Sequence, residues 1–197
     1  LEPVLDPFYS MQPDAPAIHY PGTSNLSIFT TMKAGDPDKA FAEAYYTDKH
    51  YYRTQEMVHA AIEPHGAVAK YENGEWTVWT TTQGAYVSRY WIAWGLGVPE
   101  SQVRVIKPML GGGFGGKDDC PVTGPCIMLA LKSHRPVKIV QTREEVFSNG
   151  TPRPGGAIYV KDAFNKDGSL AARKVTAYIN CGAYTTSALV TLDHSDY

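Results

Sequence analysis

Three groups of residues in this chain have types and spacings suited to chemistry. The first is MLGGGFGGKDD at 109–119, where five glycines surround one phenylalanine and a lysine and two aspartates follow. Glycine serves where φ must be positive or where another group comes close to the main chain, and it weakens a helix or strand interior by about 0.5–1 kcal/mol relative to alanine. So bare a backbone points to a site. The second is Gln83, closing the run TTTQ at 80–83, a neutral side chain with one acceptor oxygen and two N–H donors. The third is HAAIEPHG at 59–66, with His59, Glu63 and His65 as possible metal ligands.

Two phosphate-binding patterns overlap in the glycine run. Gly111, Gly113 and Gly116 spell GxGxxG, and Gly111, Gly116 and Lys117 spell the first part of GxxxxGK(S/T). Chemistry counts against both. A triphosphate loop needs Ser or Thr after the lysine to hold magnesium, and Asp118 and Asp119 stand there instead. Carboxylates facing a phosphate in a partly dry site repel it by several kcal/mol at an effective dielectric of about 20. The dinucleotide pattern also expects an acidic residue about 20 positions on, where His134, Arg135 and Pro136 stand. ATP or NAD binding is therefore the weaker reading, and a tight turn between packed elements is a further alternative.

The His59, Glu63 and His65 group lacks the HExxH spacing, and Pro64 takes Glu63 out of helical geometry. One helix cannot aim all three at a zinc, so packing is their expected role. Cys120, Cys126 and Cys181 contain no CxxC pair and are odd in number, which argues against a disulfide framework and against a self-contained iron–sulfur cluster. Buried free thiols are expected.

The elements that must position these groups can be read from spacing. A proline-rich opening (Pro3, Pro7, Pro13, Pro16, Pro21) reads as an extended segment or linker over 1–35. Asp36 or Asp38 can cap a short helix in DKAFAEAYY, with Pro37 tolerated near its start. HGAVAKYE and EWTVWTTT flank Asn73-Gly74, a hairpin signal, because a type I′ turn needs positive φ at both central residues. From Gly84 onward, Val87, Tyr90, Trp91 and Trp94 recur at helical spacing as one apolar face, ending near Gly95 to Gly97 ahead of Pro99. QVRVIKPML alternates as a strand leading into the glycine run. PVTGPCIMLALKSH reads as a helix, RPVKIVQTREE as a strand, and GGAIYVKDAFNKDGSLAARKVTAYINCG as a second hairpin turning at Asp167-Gly168. Strands and helices intermix without a linker, so the fold class is α+β (mixed α/β), with one domain over 36–197.

Composition limits the function classes. With 43% hydrophobic residues in 197, the chain can bury a substantial core or two small ones. Its net charge of −2, from 18 basic and 20 acidic residues, supplies no field to draw in nucleic acid or an acidic membrane surface. No apolar run of about 18 residues occurs, so no membrane span is expected. The expected compartment is the cytoplasm, with the periplasm as the alternative. The opening and closing phrases read as parts of a longer sequence.

TTTQ at 80–83, LGVPESQVRVI at 96–106, GGGFGGKDD at 111–119 and RPVKIVQTREE together resemble the molybdenum hydroxylases of the xanthine dehydrogenase and aldehyde oxidase family. The resemblance lies in the molybdopterin-binding large subunit and covers residues from about 36 to 185. It implies that Gln83 approaches the molybdenum from its apical side and that Phe114 and Gly115 lie against the metal and the pterin. Neither Gln83 nor Phe114 would be a direct ligand. Gly111, Gly112 and Gly113 would let the cofactor come close, and Asp118 stands where xanthine-oxidising members place a glutamate that contacts substrate. On the residues alone, Gln83 as a cap for the helix starting at Gly84 and Asp118 as the N-cap of the next helix remain open.

The implied activity is hydroxylation of an aldehyde or an N-heterocyclic or aromatic substrate, with water as the oxygen source. The implied cofactor is molybdenum–molybdopterin, with the cytosine dinucleotide as one form, and electrons would leave through 2Fe–2S clusters to FAD on other chains or domains. Neither the family's later AFRGFG phrase nor its distal glutamate base is in the chain. The expected partners are therefore the rest of the molybdenum subunit, the iron–sulfur and FAD subunits or domains, and a small-molecule substrate. A non-catalytic pterin-binding or structural fragment is the alternative.

Overall fold

The computed structural model describes residues 3–118 and 120–184; Asp119 and residues 185–197, the end of the domain expected over 36–197, lie outside the described residues. Two compact units interleave along the chain. One combines residues up to 56 with those from 154 onward, and the other is residues 57–153. Composition changes at about residue 35, but compactness divides the chain elsewhere.

In the first unit the proline-rich opening forms only one helical turn, α1 (Pro7–Ser10), capped by the Asp6 carboxylate. Helix α2 (Pro37–Glu43) starts at Pro37 with Asp36 as N-cap, its side chain accepting the Lys39 N–H at 3.2 Å. The AYY expected to continue α2 turns instead into β1 (Tyr46–Thr54), a strand that the sequence pattern did not announce. β1 pairs antiparallel with β6 (Gly155–Phe164), which pairs with β7 (Leu170–Asn180) around the expected turn, where Gly168 has φ +84°. Polar and aromatic cross-strand pairs join these strands. Tyr51 packs against Tyr159 with ring centroids 4.8 Å apart and planes tilted by 41°, and Arg173 forks onto its register partner Asp162 at 2.7 and 2.8 Å. β1 has no buried position, so the alternation that signals a strand is missing.

The second unit is built on a four-stranded sheet in the order β4 (Val103–Ile106), β3 (Glu75–Thr80), β2 (Gly66–Glu72), β5 (Val137–Val140). β2 (Gly66–Glu72) and β3 (Glu75–Thr80) form the expected hairpin, with φ +54° at Asn73 and +84° at Gly74. Every second residue faces the core: Ala67 and Ala69 on β2, Trp76 and Val78 on β3. β3 is followed by α3 (Ala85–Leu96) and returns as β4 (Val103–Ile106), parallel to β3. Helix α4 (Thr123–Ser133) supplies Cys126, Ile127 and Ala130 to the same core.

α3 ends at Gly97 in the left-handed conformation, as its glycines indicate. Its orientation differs from the expectation. Ile92 and Ala93 are buried and Leu96 packs partly against them, whereas Val87, Tyr90, Trp91 and Trp94 are exposed, Trp94 by 72%. The helix is apolar around most of its circumference, so spacing alone could not choose the stripe. The compact side chains reach the sheet, and the aromatics contact one another outside, Trp91 to Trp94 at 6.0 Å. RPVKIVQTREE also divides, into β5 (Val137–Val140) and α5 (Arg143–Asn149). Thr142 and Glu145 make a capping box that starts α5, a signal present in the sequence as T-x-x-E.

Candidate cofactor site

The parallel register of β3 and β4 brings the chemistry-bearing residues together. Trp79 pairs with Ile106, so both strands end on the same side, and in open sheets with parallel strands ligands bind outside the carboxyl ends. Gln83 follows the end of β3 and the glycine run follows the end of β4. They meet: Gln83 Oε1 accepts the Gly115 N–H at 2.9 Å and the Lys117 N–H at 3.3 Å, and the Gln83 N–H donates to the Lys117 carbonyl at 2.8 Å.

Gln83 is not the cap of α3. The N-cap is Gly84, which makes no side-chain capping bond, and the Gly84 N–H donates to Thr82 Oγ1 at 3.1 Å. Thr82 Oγ1 in turn meets Ser88 at 2.8 Å. Nor is Asp118 the cap of α4, whose N-cap is Val122. Asp118 is exposed at the end of the loop.

The loop itself holds positive φ at Gly112 (+93°), Phe114 (+57°) and Gly115 (+86°). The Gly116 N–H closes onto the Gly113 carbonyl at 2.9 Å, with Phe114 and Gly115 as the two central residues. Phenylalanine at positive φ is uncommon and costs of order 1–3 kcal/mol, so the surroundings must enforce it. The side chain of Phe114 is exposed by 74% at the tip.

The glycines at 111, 113 and 116 make room for this chain's own side chains. A Cβ on Gly111 would lie 2.6 Å from Glu63 Cβ, one on Gly113 would fall on the Gln83 carboxamide, and one on Gly116 would lie 2.6 Å from His59 Nδ1. At Gly111 and Gly113 this requirement stands beside the cofactor approach that the resemblance implies.

Glu63 and Lys117 are the site residues whose role sequence reasoning missed. Lys117 is 1% exposed, and its Nζ donates to Glu63 Oε2 at 2.7 Å. The same oxygen accepts the Gly111 N–H at 3.0 Å, while the Glu63 N–H donates to the Gly111 carbonyl at 3.1 Å. Burial alone would raise the Glu63 carboxyl, but Lys117 and the Gly111 amide hold it below its ordinary range. No spacing rule links residues 54 positions apart. A lysine ending a glycine run reads as a phosphate contact, and here its ammonium is shut inside against a carboxylate.

His59 and His65 lie beneath the loop and, with Glu63 and Lys117, line a small cavity there. Burial and then Arg153 push the His59 imidazole below its usual range. His65 is 5% exposed, and its Nδ1 has no hydrogen-bond partner among the described residues. The described residues hold no group of three or more His, Cys, Asp and Glu side chains placed for a metal ion. Cys120 Sγ lies 3.7 Å from both the Gly66 carbonyl oxygen and Thr81 Oγ1. Burial works to raise the Cys120 thiol, yet His65, Thr80, Thr123 and Thr81 together bring it down to about 6. Cys126 is buried in the core and Cys181 half-buried, and burial raises both.

The molybdopterin cofactor-binding domain family matches residues 18–195. The chain belongs to that family. It is 35% identical over 187 residues to the nicotinate dehydrogenase large molybdopterin subunit of Eubacterium barkeri, covering 94% of this chain and 44% of that one. It is 33% identical over 196 residues to a probable xanthine dehydrogenase subunit of Bacillus subtilis, covering 99% and 26%. Among solved structures, the aldehyde oxidoreductase from Desulfovibrio gigas matches with a TM-score of 0.86 at 26% identity, over 95% of this chain and 21% of that one. The chain thus spans less than half the length of these relatives.

For a molybdopterin-binding domain, the donor set is suitable. The Gln83 oxygen is committed to the loop amides, so the carboxamide's remaining capacity is its NH2 donors. A neutral donor suits an anionic metal–dithiolene unit without adding charge. The buried Lys117 leaves the nucleotide reading without its cation. No helix among the described residues is long and apolar enough to cross a membrane.

Proposed function

We infer that this chain is part of a molybdenum-dependent oxidoreductase that hydroxylates an aldehyde or an N-heterocyclic or aromatic substrate with water as the oxygen source. The observation that carries the reading is Gln83 bound to the Gly115 and Lys117 amides beside an exposed Phe114. The relatives named for nicotinate, xanthine and aldehyde support the substrate class.

In this reading Gln83 holds the loop by its oxygen and directs its NH2 group toward the metal centre, which neither it nor Phe114 ligates directly. Phe114 and Gly115 form the wall against the pterin, with Gly111, Gly112 and Gly113 forming the approach to that wall. Asp118 contacts the substrate from the end of the loop. Molybdenum held by molybdopterin, in its plain or cytosine dinucleotide form, would supply oxygen transfer from water and the capacity to take up two electrons. Those electrons would leave through 2Fe–2S and FAD centres on partner subunits or domains, the rest of the molybdenum subunit would complete the site, and the assembly would be cytoplasmic.

The test is molybdenum and pterin content of the purified native assembly, with dye reduction over aldehydes and azaheterocycles. Stoichiometric metal with turnover supports the reading. Absence of both molybdenum and pterin defeats it in favour of a structural fragment. Micromolar ATP or NAD affinity lost on Lys117→Ala would favour the nucleotide alternative.

A further inference from the structure

We propose that Glu63 is a positioning residue for the cofactor site: its carboxyl oxygen anchors Gly111, with the buried Lys117 ammonium as its counter-charge, and so holds the glycine loop in the conformation presenting Phe114 and Gly115. The inference rests on the reading above that this loop receives molybdopterin.

The argument starts from cost. A buried ammonium without a partner costs several kcal/mol, and its attraction to the half-buried Glu63 carboxylate is weak evidence for net stability, because the desolvation of the lysine offsets it. Lys117 is among the most buried side chains of the described residues, at a position where a surface lysine would avoid that cost. What the pair supplies is geometry. One carboxylate oxygen takes Lys117 Nζ at 2.7 Å and the Gly111 N–H at 3.0 Å, so Glu63 ties together the first and last residues of the run 111–117. The Gly111 carbonyl is held as well, by the Glu63 N–H at 3.1 Å.

Between those anchors the backbone takes positive φ three times, once at a phenylalanine. Such a conformation persists only where its surroundings over-determine it. Gln83 supplies restraint from the β3 side, at Gly115 and Lys117. Without Glu63, the Gly111 end of the loop loses its side-chain anchor, and the ammonium that fastens the other end loses its counter-charge. The glycine at 111 fits this role, since a Cβ there would displace Glu63.

The experiment compares two double variants of the full-length enzyme. Glu63→Gln with Lys117→Met removes both charges but keeps an acceptor for the Gly111 N–H. Glu63→Ala with Lys117→Met removes both charges and the acceptor. Neither leaves a buried charge unpaired, so the comparison isolates the anchor. The readouts are melting temperature, amide hydrogen exchange of the loop segment, and pterin released per chain.

The expected result is that the first variant keeps loop protection and pterin content close to wild type. In the second, loop amides exchange about tenfold faster, in line with one lost hydrogen bond, and pterin content falls with them. Equal loop exchange and equal pterin content in the two variants would overturn the proposal. If the wild-type enzyme carries no pterin, the functional reading fails, and loop exchange still decides whether Glu63 is the anchor.

Discussion

Gln83 and Gly115 are joined across 32 positions of sequence by a hydrogen bond of 2.9 Å, from the glycine N–H to the carboxamide oxygen. The bond gives Gln83 two separable duties. Its oxygen shapes the loop, and its NH2 group is the part available to a ligand.

Gln83→Ala should therefore affect the fold as well as turnover. It leaves the Gly115 and Lys117 amides without their acceptor, at a cost of about 1–3 kcal/mol, visible in the denaturant midpoint. Gln83→Glu keeps an acceptor oxygen and removes the donors. Loop exchange near wild type with reduced turnover is the expected outcome for that variant, and unchanged turnover would confine Gln83 to the structural duty.

At the glycines, two kinds of failure should separate. Gly113→Ala and Gly116→Ala force a Cβ into Gln83 and His59, and both should destabilise, since Gln83 can move only by giving up the Gly115 and Lys117 amides and His59 is met from its ring down to its Cβ. Gly115→Val meets only His59 Nε2 at 3.6 Å but requires a β-branched residue at φ +86°, so its cost is backbone strain. As a control, Gly124→Ala near the start of α4 has nothing within 4 Å of the new Cβ. It should be neutral or stabilising by up to about 1 kcal/mol. Thermal unfolding of the four variants checks the order.

The Cys120 thiol should titrate near 6 in the folded protein, against an ordinary value of 9.0. The rate of alkylation by iodoacetamide, followed against pH by mass spectrometry, should rise with a midpoint there. Because the folded value is depressed, the unfolded chain binds the extra proton between these limits, so the stabilisation from Cys120 is fully present above pH 9 and is lost as pH falls through about 6. Cys120→Ser should flatten that part of the stability profile. A midpoint above 8 would show that His65 and the threonines do not support the thiolate.

Helix α5 depends on its capping box. Thr142→Ala removes the acceptor of the Glu145 N–H at 3.2 Å and should cost about 0.5–2 kcal/mol, while Thr142→Ser should recover most of it. A midpoint unchanged by Thr142→Ala would mean that packing of Val146 alone holds the helix.

What the sequence determined by itself was local. Asn73-Gly74 and Asp167-Gly168 placed two hairpins, Gly97 ended α3, and Asp36 with Pro37 began α2, because each signal acts within about four residues and owes little to the rest of the chain. The pairing of TTTQ with GGGFGGKDD pointed to the family through resemblance, and with it to a candidate site. Tertiary structure decided the rest. It chose Ile92 and Ala93 over Trp91 and Trp94 as the inner face of α3, because a helix apolar on several sides is oriented by what the sheet can accommodate. It made a strand of YTDKHYYRT, whose stability comes from pairing with β6 and not from burying alternate residues. It turned Lys117 inward onto Glu63, a contact that exists because antiparallel β2 starts beside the point where parallel β3 and β4 end, which brings together two segments 54 residues apart. No periodicity within either segment encodes that meeting; the register between strands does.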